Sequence, residues 1–229
     1  MQVVCIGIYG ETCAGKSTVG KHLSLMFSCP YISFGDIKRD HITRKTDIGI
    51  AIETYLWEGH SIPPALGFAV IEDRMSNGLQ FISGYPISTE ELEILSRRCC
   101  MLGIINLTID ESTLVQRFEQ RRECPICHLP GIKGEVCPLH HAEMVRRTDA
   151  TIEEQLTRRM LYRTRIAPFL QTQSIAILPR LDCDTSSLAR VEVIDRCETW
   201  TRQLLQQQRK THGPNRHEAC VAYQDDRHL

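Results

Sequence analysis

The sequence predicts an α/β fold: a parallel sheet covered by helices on both faces, with one small insertion. Three observations carry this. Short apolar runs alternate with stretches of helical spacing. Gly10-Glu11-Thr12-Cys13-Ala14-Gly15-Lys16-Ser17 directly follows the first apolar run. Periodicity then fails once, from Cys124 to His141, where Pro, Gly, Cys and His dominate.

The Gly10 to Ser17 stretch fits G-x-x-x-x-G-K-[ST], in which backbone N–H groups cradle phosphate oxygens. The lysine reaches the outer phosphates, and the hydroxyl can sit on Mg²⁺. A plain glycine turn explains the glycines but not Lys16-Ser17. Val3 to Ile8 reads as a buried strand and Ser17 to Phe27 as a helix, so the helix N-terminus adds its partial positive charge behind the phosphates.

Further along, Tyr31 to Phe34 is a second strand candidate, followed by a charged helix from Asp36 to about Lys45. Ile48 to Trp57 and Leu66 to Met75 have helical spacing, with Gly59 and Pro63-Pro64 between them. Gln80 to Ser83 and Gly103 to Leu107 are expected strands, flanking a helix from Thr89 to Cys100. Glu111 to Arg122 is expected to be helical behind an Asp110 N-cap. Thr151 with Glu154 forms a capping-box pattern for a helix to about Thr164. Ser174 to Leu178 is the last expected strand and Ser187 to Gln208 the last helix. The polar stretch from Arg209 to Leu229 is expected to be a mobile tail.

With 229 residues the chain suits one α/β domain with a small insertion. Lys+Arg 27 against Asp+Glu 28 gives no basic excess, so nucleic acid is not an expected partner. No apolar run reaches the roughly 18 residues a membrane span needs. The N-terminus lacks the positive region of a signal peptide, so a cytoplasmic protein with no membrane partner is expected.

Of the eleven cysteines, eight are scattered, most of them in apolar or helical stretches where a thiol packs as a small hydrophobe. The other three cluster with histidine. Cys124-Pro125-Ile126-Cys127 and Cys137-Pro138-Leu139-His140 are two equally spaced pairs separated by nine residues. Three thiolates and one imidazole suit a closed, four-coordinate Zn²⁺ site, and four protein ligands leave no open position for catalysis. His128 and His141 break the pair spacing. The segment has few apolar residues, and metal ligation worth roughly 10 kcal/mol supplies the folding energy that a core of its own would lack.

The order and spacing of these pieces resemble the adenylate kinase family of nucleoside monophosphate kinases, from about Val3 to Gln208. Besides the loop, Ile32-Ser33-Phe34-Gly35-Asp36-Ile37-Lys38-Arg39 looks like the opening of the family's monophosphate-binding region, here about residues 33–64. Gly84-Tyr85-Pro86 resembles the family's Gly-aromatic-Pro turn. Arg117 and Arg121 match the arginine pair before the lid, and Arg147-Thr148-Asp149, Arg158 and Ala167-Pro168 match the segments after it. The resemblance implies a P-loop NTPase-type core of residues 1–123 and 142–208 and a small zinc-stapled lid inserted at 124–141.

It further implies transfer of the γ-phosphoryl group of ATP to a nucleoside monophosphate, with Mg²⁺, by a monomer. ATP would be held by Gly10, Cys13, Ala14, Gly15, Lys16, Ser17, Thr18 and Arg117. The acceptor would lie against Phe34, Arg39, Gly59, Ile62, Gly84 and Glu91. Lys16, Arg121, Arg147 and Arg158 would neutralise the moving phosphoryl group, the last two also gripping the acceptor. That set suits the chemistry independently, because phosphoryl transfer depends mostly on positioning and charge neutralisation, and guanidinium grips phosphate through paired N–H bonds.

Five positions depart from the family pattern. Ser83 stands for an acidic residue that organises Mg²⁺ through water, Ile87 for an arginine that grips the acceptor phosphate, and Glu91 for a glutamine that reads adenine. Phe34 replaces a threonine and Cys13 a loop glycine. The acceptor base therefore stays open, and so does the alternative of an ATP-binding module with little turnover.

Overall fold

The computed structural model describes residues 3–126, 129–146 and 151–212. A five-stranded parallel sheet holds β1 (Val3–Gly10), β2 (Tyr31–Ser33), β3 (Gly78–Ser83), β4 (Cys99–Thr108) and β7 (Arg180–Asp184) in the order β2-β3-β1-β4-β7. The central strand alternates between two apolar faces. Ile6 and Ile8 pack with Val19, Leu23, Leu114 and Leu204. On the other side Cys5 joins Ile52, Phe68 and Ile71, and Tyr9 joins Leu92 and Phe169. Burial on both faces is what a parallel sheet requires.

The covering helices are α1 (Lys16–Met26), α2 (Phe34–Thr43), α3 (Asp47–Trp57), α4 (Pro64–Glu72), α5 (Thr89–Ser96), α6 (Glu111–Gln120), α7 (Ile152–Leu161), the short α8 (Ala167–Phe169) and α9 (Gln173–Ala176), and α10 (Arg190–His212). Side chains cap the starts of α2, α3, α5, α6 and α7. Asp110 accepts from Thr113 N at 2.7 Å, and Thr151 and Glu154 form the expected capping box. Between α7 and α8 a π-helical turn spans Tyr162–Ile166. Pro168 has no N–H for the carbonyl four residues back, which accounts for the widened turn.

Four expected elements move. Ser174 to Leu178 is not a strand: it contains α9, whose Ile175 and Ala176 amides bond to the Thr172 carbonyl. Ile175 is buried but Ile177 faces solvent, so the run cannot serve a two-faced sheet position. The edge strand is the more polar β7, which pairs Leu107 with Cys183. The helix from Thr89 stops at Ser96, because β4 begins at Cys99. Cys5 pairs with Met101 and Ile6 with Gly103, so a bulge at Leu102 hides the early part of β4 from an alternation count. The helix from Glu111 ends at Gln120, and Arg121 turns extended to open β5 (Arg121–Glu123). Finally, α10 continues through Arg209 to His212, residues expected in the tail, and residues 213–229 lie outside those described.

β5 pairs antiparallel with β6 (Pro130–Ile132) as a separate two-stranded sheet. Cys124, Cys137 and Met144 form a small buried cluster beside it, with Leu129 and Ala142 against them.

Candidate functional site

The phosphate loop leaves β1 at the point where the sheet order reverses, with β3 on one side and β4 on the other. Ligand crevices of open α/β sheets form outside the carboxyl ends of strands at such points. Gly10 has φ 144, and a Cβ there would sit 2.2 Å from the Leu107 carbonyl oxygen, so no other residue fits. Lys16 Nζ donates to the Gly10 and Glu11 carbonyls at 2.8 and 2.6 Å. Its ammonium thus lies inside the loop, ahead of the N-terminus of α1. Burial, then the charge of Arg121, lowers its pKa to about 8. An anion at this point raises it again, because it favours the charged form. Cys13 occupies a left-handed backbone position, φ 60, where a glycine is at ease.

An acidic residue in a phosphate loop opposes its ligand, and Glu11 is one. The structure removes that conflict. Arg159 Nε bonds one Glu11 oxygen at 2.5 Å and Arg163 reaches the other at 3.4 Å. Arg159 also bonds Glu111 at 2.6 Å and the Ile109 carbonyl at 3.3 Å. Thr12 adds a second tie, its hydroxyl donating to the Gln155 amide oxygen. Helix α7 is therefore docked on the loop, and its rotation is fixed by a buried guanidinium. Arg117 makes a further tie, donating to the Thr185 hydroxyl at 2.9 Å and to the Cys13 carbonyl at 3.5 Å.

Opposite the loop, α2 starts under a Ser33 cap. Phe34 stacks on Tyr85 with ring centroids 5.8 Å apart, and a Cβ on Gly84 would lie 3.7 Å from Phe34 Cβ. Lys38 Nζ lies 6.0 Å from the Phe34 ring centroid, and Arg39 pairs with Asp36. Glu91 is buried: one carboxylate oxygen accepts from Ile87 N at 2.7 Å, and the other lies 3.3 Å from where a Cβ on Gly67 would be. Burial raises its pKa, while the Ile87 N–H and the Arg165 charge favour the ionised form. Ser83 ends β3, and its hydroxyl is 2.7 Å from that of Tyr31. Burial raises the Tyr31 pKa, against hydrogen bonds to Ser83, Ser17 and Ser33.

In the small sheet, the ligand atoms of Cys124, Cys137 and His140 lie within 4.8 Å of one another. His140 Nδ1 is 3.8 Å from Cys124 Sγ and 3.7 Å from Cys137 Sγ. A tetrahedral centre with the usual Zn–S and Zn–N lengths separates such atoms by about 3.6 Å, so donor types and spacing fit zinc.

No family model matches the chain. It is 31% identical over 191 residues to an adenylate kinase of Pseudothermotoga lettingae, covering 76% of this chain and 86% of the relative. An adenylate kinase of Clostridium botulinum is 32% identical over 180 residues, covering 68% and 80%, and one of Thermoanaerobacter sp. is 29% identical over 188 residues, covering 75% and 85%. The chain belongs to the adenylate kinase family.

As a divergent adenylate kinase family member, it keeps the loop and draws several predicted residues together. Arg121 lies near enough to Lys16 to act on its pKa, though from the strand β5 rather than from the helix expected to run to Arg122. Arg158 lies near Lys38. Gly59 ends α3 with φ 73, and Ile62 packs against the core beneath α4. Arg147 and Cys127 lie outside the described residues. Sequence reasoning missed Lys38, Tyr31, Arg159 and Arg163. The one available signal was Glu11, an acid inside a phosphate motif that demanded a cationic partner.

Proposed function

We propose that the chain transfers the γ-phosphoryl group of ATP to a nucleoside monophosphate. The observation behind this reading is the pair of cationic groups in this region: Arg121 lies close enough to Lys16, and Arg39 and Arg158 close enough to Lys38, to act on their ionisation. Lys16 exchanges its two carbonyl partners for outer phosphate oxygens. Arg121 and Arg158, with Arg147, neutralise charge spread over the moving group, which is where most of the catalysis of phosphoryl transfer lies. Ser17 would be the loop residue to hold Mg²⁺, which would screen the charge of the outer phosphates. Cys124, Cys137 and His140, with Cys127 by its spacing, would hold a structural Zn²⁺ that keeps the lid folded. A closed lid excludes water, which otherwise competes as acceptor.

Glu91 reads the acceptor base. An ionised carboxylate accepts hydrogen bonds and donates none, so it suits a base edge carrying N–H groups, as in guanine or cytosine. AMP is then the poorer acceptor. The test is a coupled assay of AMP, GMP, CMP and UMP at fixed ATP, with Lys16→Ala as control. The expected result is turnover favouring GMP or CMP and lost in Lys16→Ala. AMP as best acceptor overturns the base assignment. ATP binding without transfer to any of the four overturns the enzyme reading and leaves a nucleotide-binding module. The Tyr31–Ser83 pair, standing where the family has a carboxylate, is the observation favouring that second reading.

A further inference from the structure

We propose that Lys38 binds the acceptor phosphate and supplies the charge that position 87 lacks. The proposal rests on the phosphoryl-transfer reading above and names a residue within it. By resemblance an arginine is expected at position 87, directly after the Gly84-Tyr85-Pro86 turn, and Ile87 has no charge to offer. Lys38, on α2, stands beside the aromatic stack that includes Tyr85 of that turn. Its ammonium lies 6.0 Å from the Phe34 ring centroid, and that ring stacks on Tyr85, two residues before Ile87.

The charges around Lys38 point to an anion. Arg39 occupies Asp36, the acid at the start of the same helix. Among the described residues, no carboxylate pairs with Lys38 or Arg158. Burial, then the neighbouring charges of Arg39 and Arg158, lowers the Lys38 pKa. Positive charges held this close together repel one another, and a phosphate dianion with several acceptor oxygens is matched to such a cluster. A lysine suits this place better than a second arginine from α2, since its compact ammonium can reach past a stacked ring without needing a planar fork.

Steady-state kinetics and equilibrium binding on the full chain test this. Lys38→Met should raise the acceptor KM about tenfold to thirtyfold, with the KM for ATP and the melting temperature little changed. Lys38→Arg should keep most of the affinity. Ile87→Arg placed in the Lys38→Met background should recover it, because the two positions serve one phosphate. Calorimetry with GMP against guanosine, and AMP against adenosine, should show the loss for the monophosphates and none for the nucleosides. An unchanged acceptor affinity in Lys38→Met overturns the proposal, as does equal weakening of monophosphate and nucleoside. Phosphate-dependent binding that needs Lys38, without transfer, upholds Lys38 and overturns the enzyme reading instead.

Discussion

Replacing Arg159 with leucine removes the guanidinium that neutralises a carboxylate inside the phosphate loop. The side chains of Arg159 and Glu11 are 8% and 4% exposed, so the pair is shielded from water. Breaking a buried pair by deleting one partner costs about 3–5 kcal/mol, because the remaining charge is stranded. Arg163 stays 3.4 Å from Glu11, but its side chain is 56% exposed, and screening limits its compensation to about 1 kcal/mol. The bond from Arg159 to Glu111 counts for little, since Glu111 is 67% exposed. The net expectation is about 3 kcal/mol, or a fall in melting temperature of about 10 °C for a domain of this size. Urea denaturation of wild type, Arg159→Leu, Glu11→Ala and the double variant measures it. The double variant should recover much of the loss, with a coupling energy above about 1.5 kcal/mol. A single-variant cost below about 1 kcal/mol, or effects that simply add, refutes the claim that Arg159 neutralises Glu11.

Three further outcomes follow from the same geometry. Lys16 has an unfolded pKa near 10.5 and a folded one near 8, so its burial cost is complete below about pH 8 and fades as pH rises to 10.5. Phosphate binding should return the proton, and calorimetry in buffers of different ionisation enthalpy should register uptake of about half a proton per ATP at pH 8; none refutes the shift. Cys13 pays for its left-handed backbone, so Cys13→Gly should stabilise the protein by about 1 kcal/mol in urea denaturation, after the greater freedom of glycine in the unfolded chain is allowed for. Metal analysis of protein purified without chelator should find one zinc per chain, and Cys137→Ser should lose it and open residues 121–146 to proteases while the main domain melts cooperatively. Zinc retained in that variant refutes the assignment.

The parts of the fold legible in the sequence were those decided by near neighbours. The loop needs its glycines and lysine within eight residues, and the caps at Asp110 and Thr151 act within three. The last strand was misread because hydrophobicity marks burial rather than sheet position. Ser174 to Leu178 is apolar but folds as a helical turn under Tyr9 and Phe169, whereas the polar β7 keeps its place by pairing with β4 and through Asn106 donating to Asp182 at 2.7 Å. The bulge at Leu102 likewise breaks the alternation that would have marked the start of β4.

The site itself was legible as a list of cations but not as an arrangement. Sequence spacing offers Arg158 and Arg159 as equals, neighbours on one helix. A helix turns about 100° per residue, so only one of them can face the loop's interior. Glu11 decides which, across a separation of 148 residues: it draws Arg159 into the interior, where the guanidinium is consumed by Glu11, Glu111 and the Ile109 carbonyl. Arg158 is thereby turned toward Lys38 and is left without a carboxylate partner among the described residues. The acid that looked like a defect in the phosphate motif is thus the part that sorts the two arginines, one into the interior and the other toward Lys38.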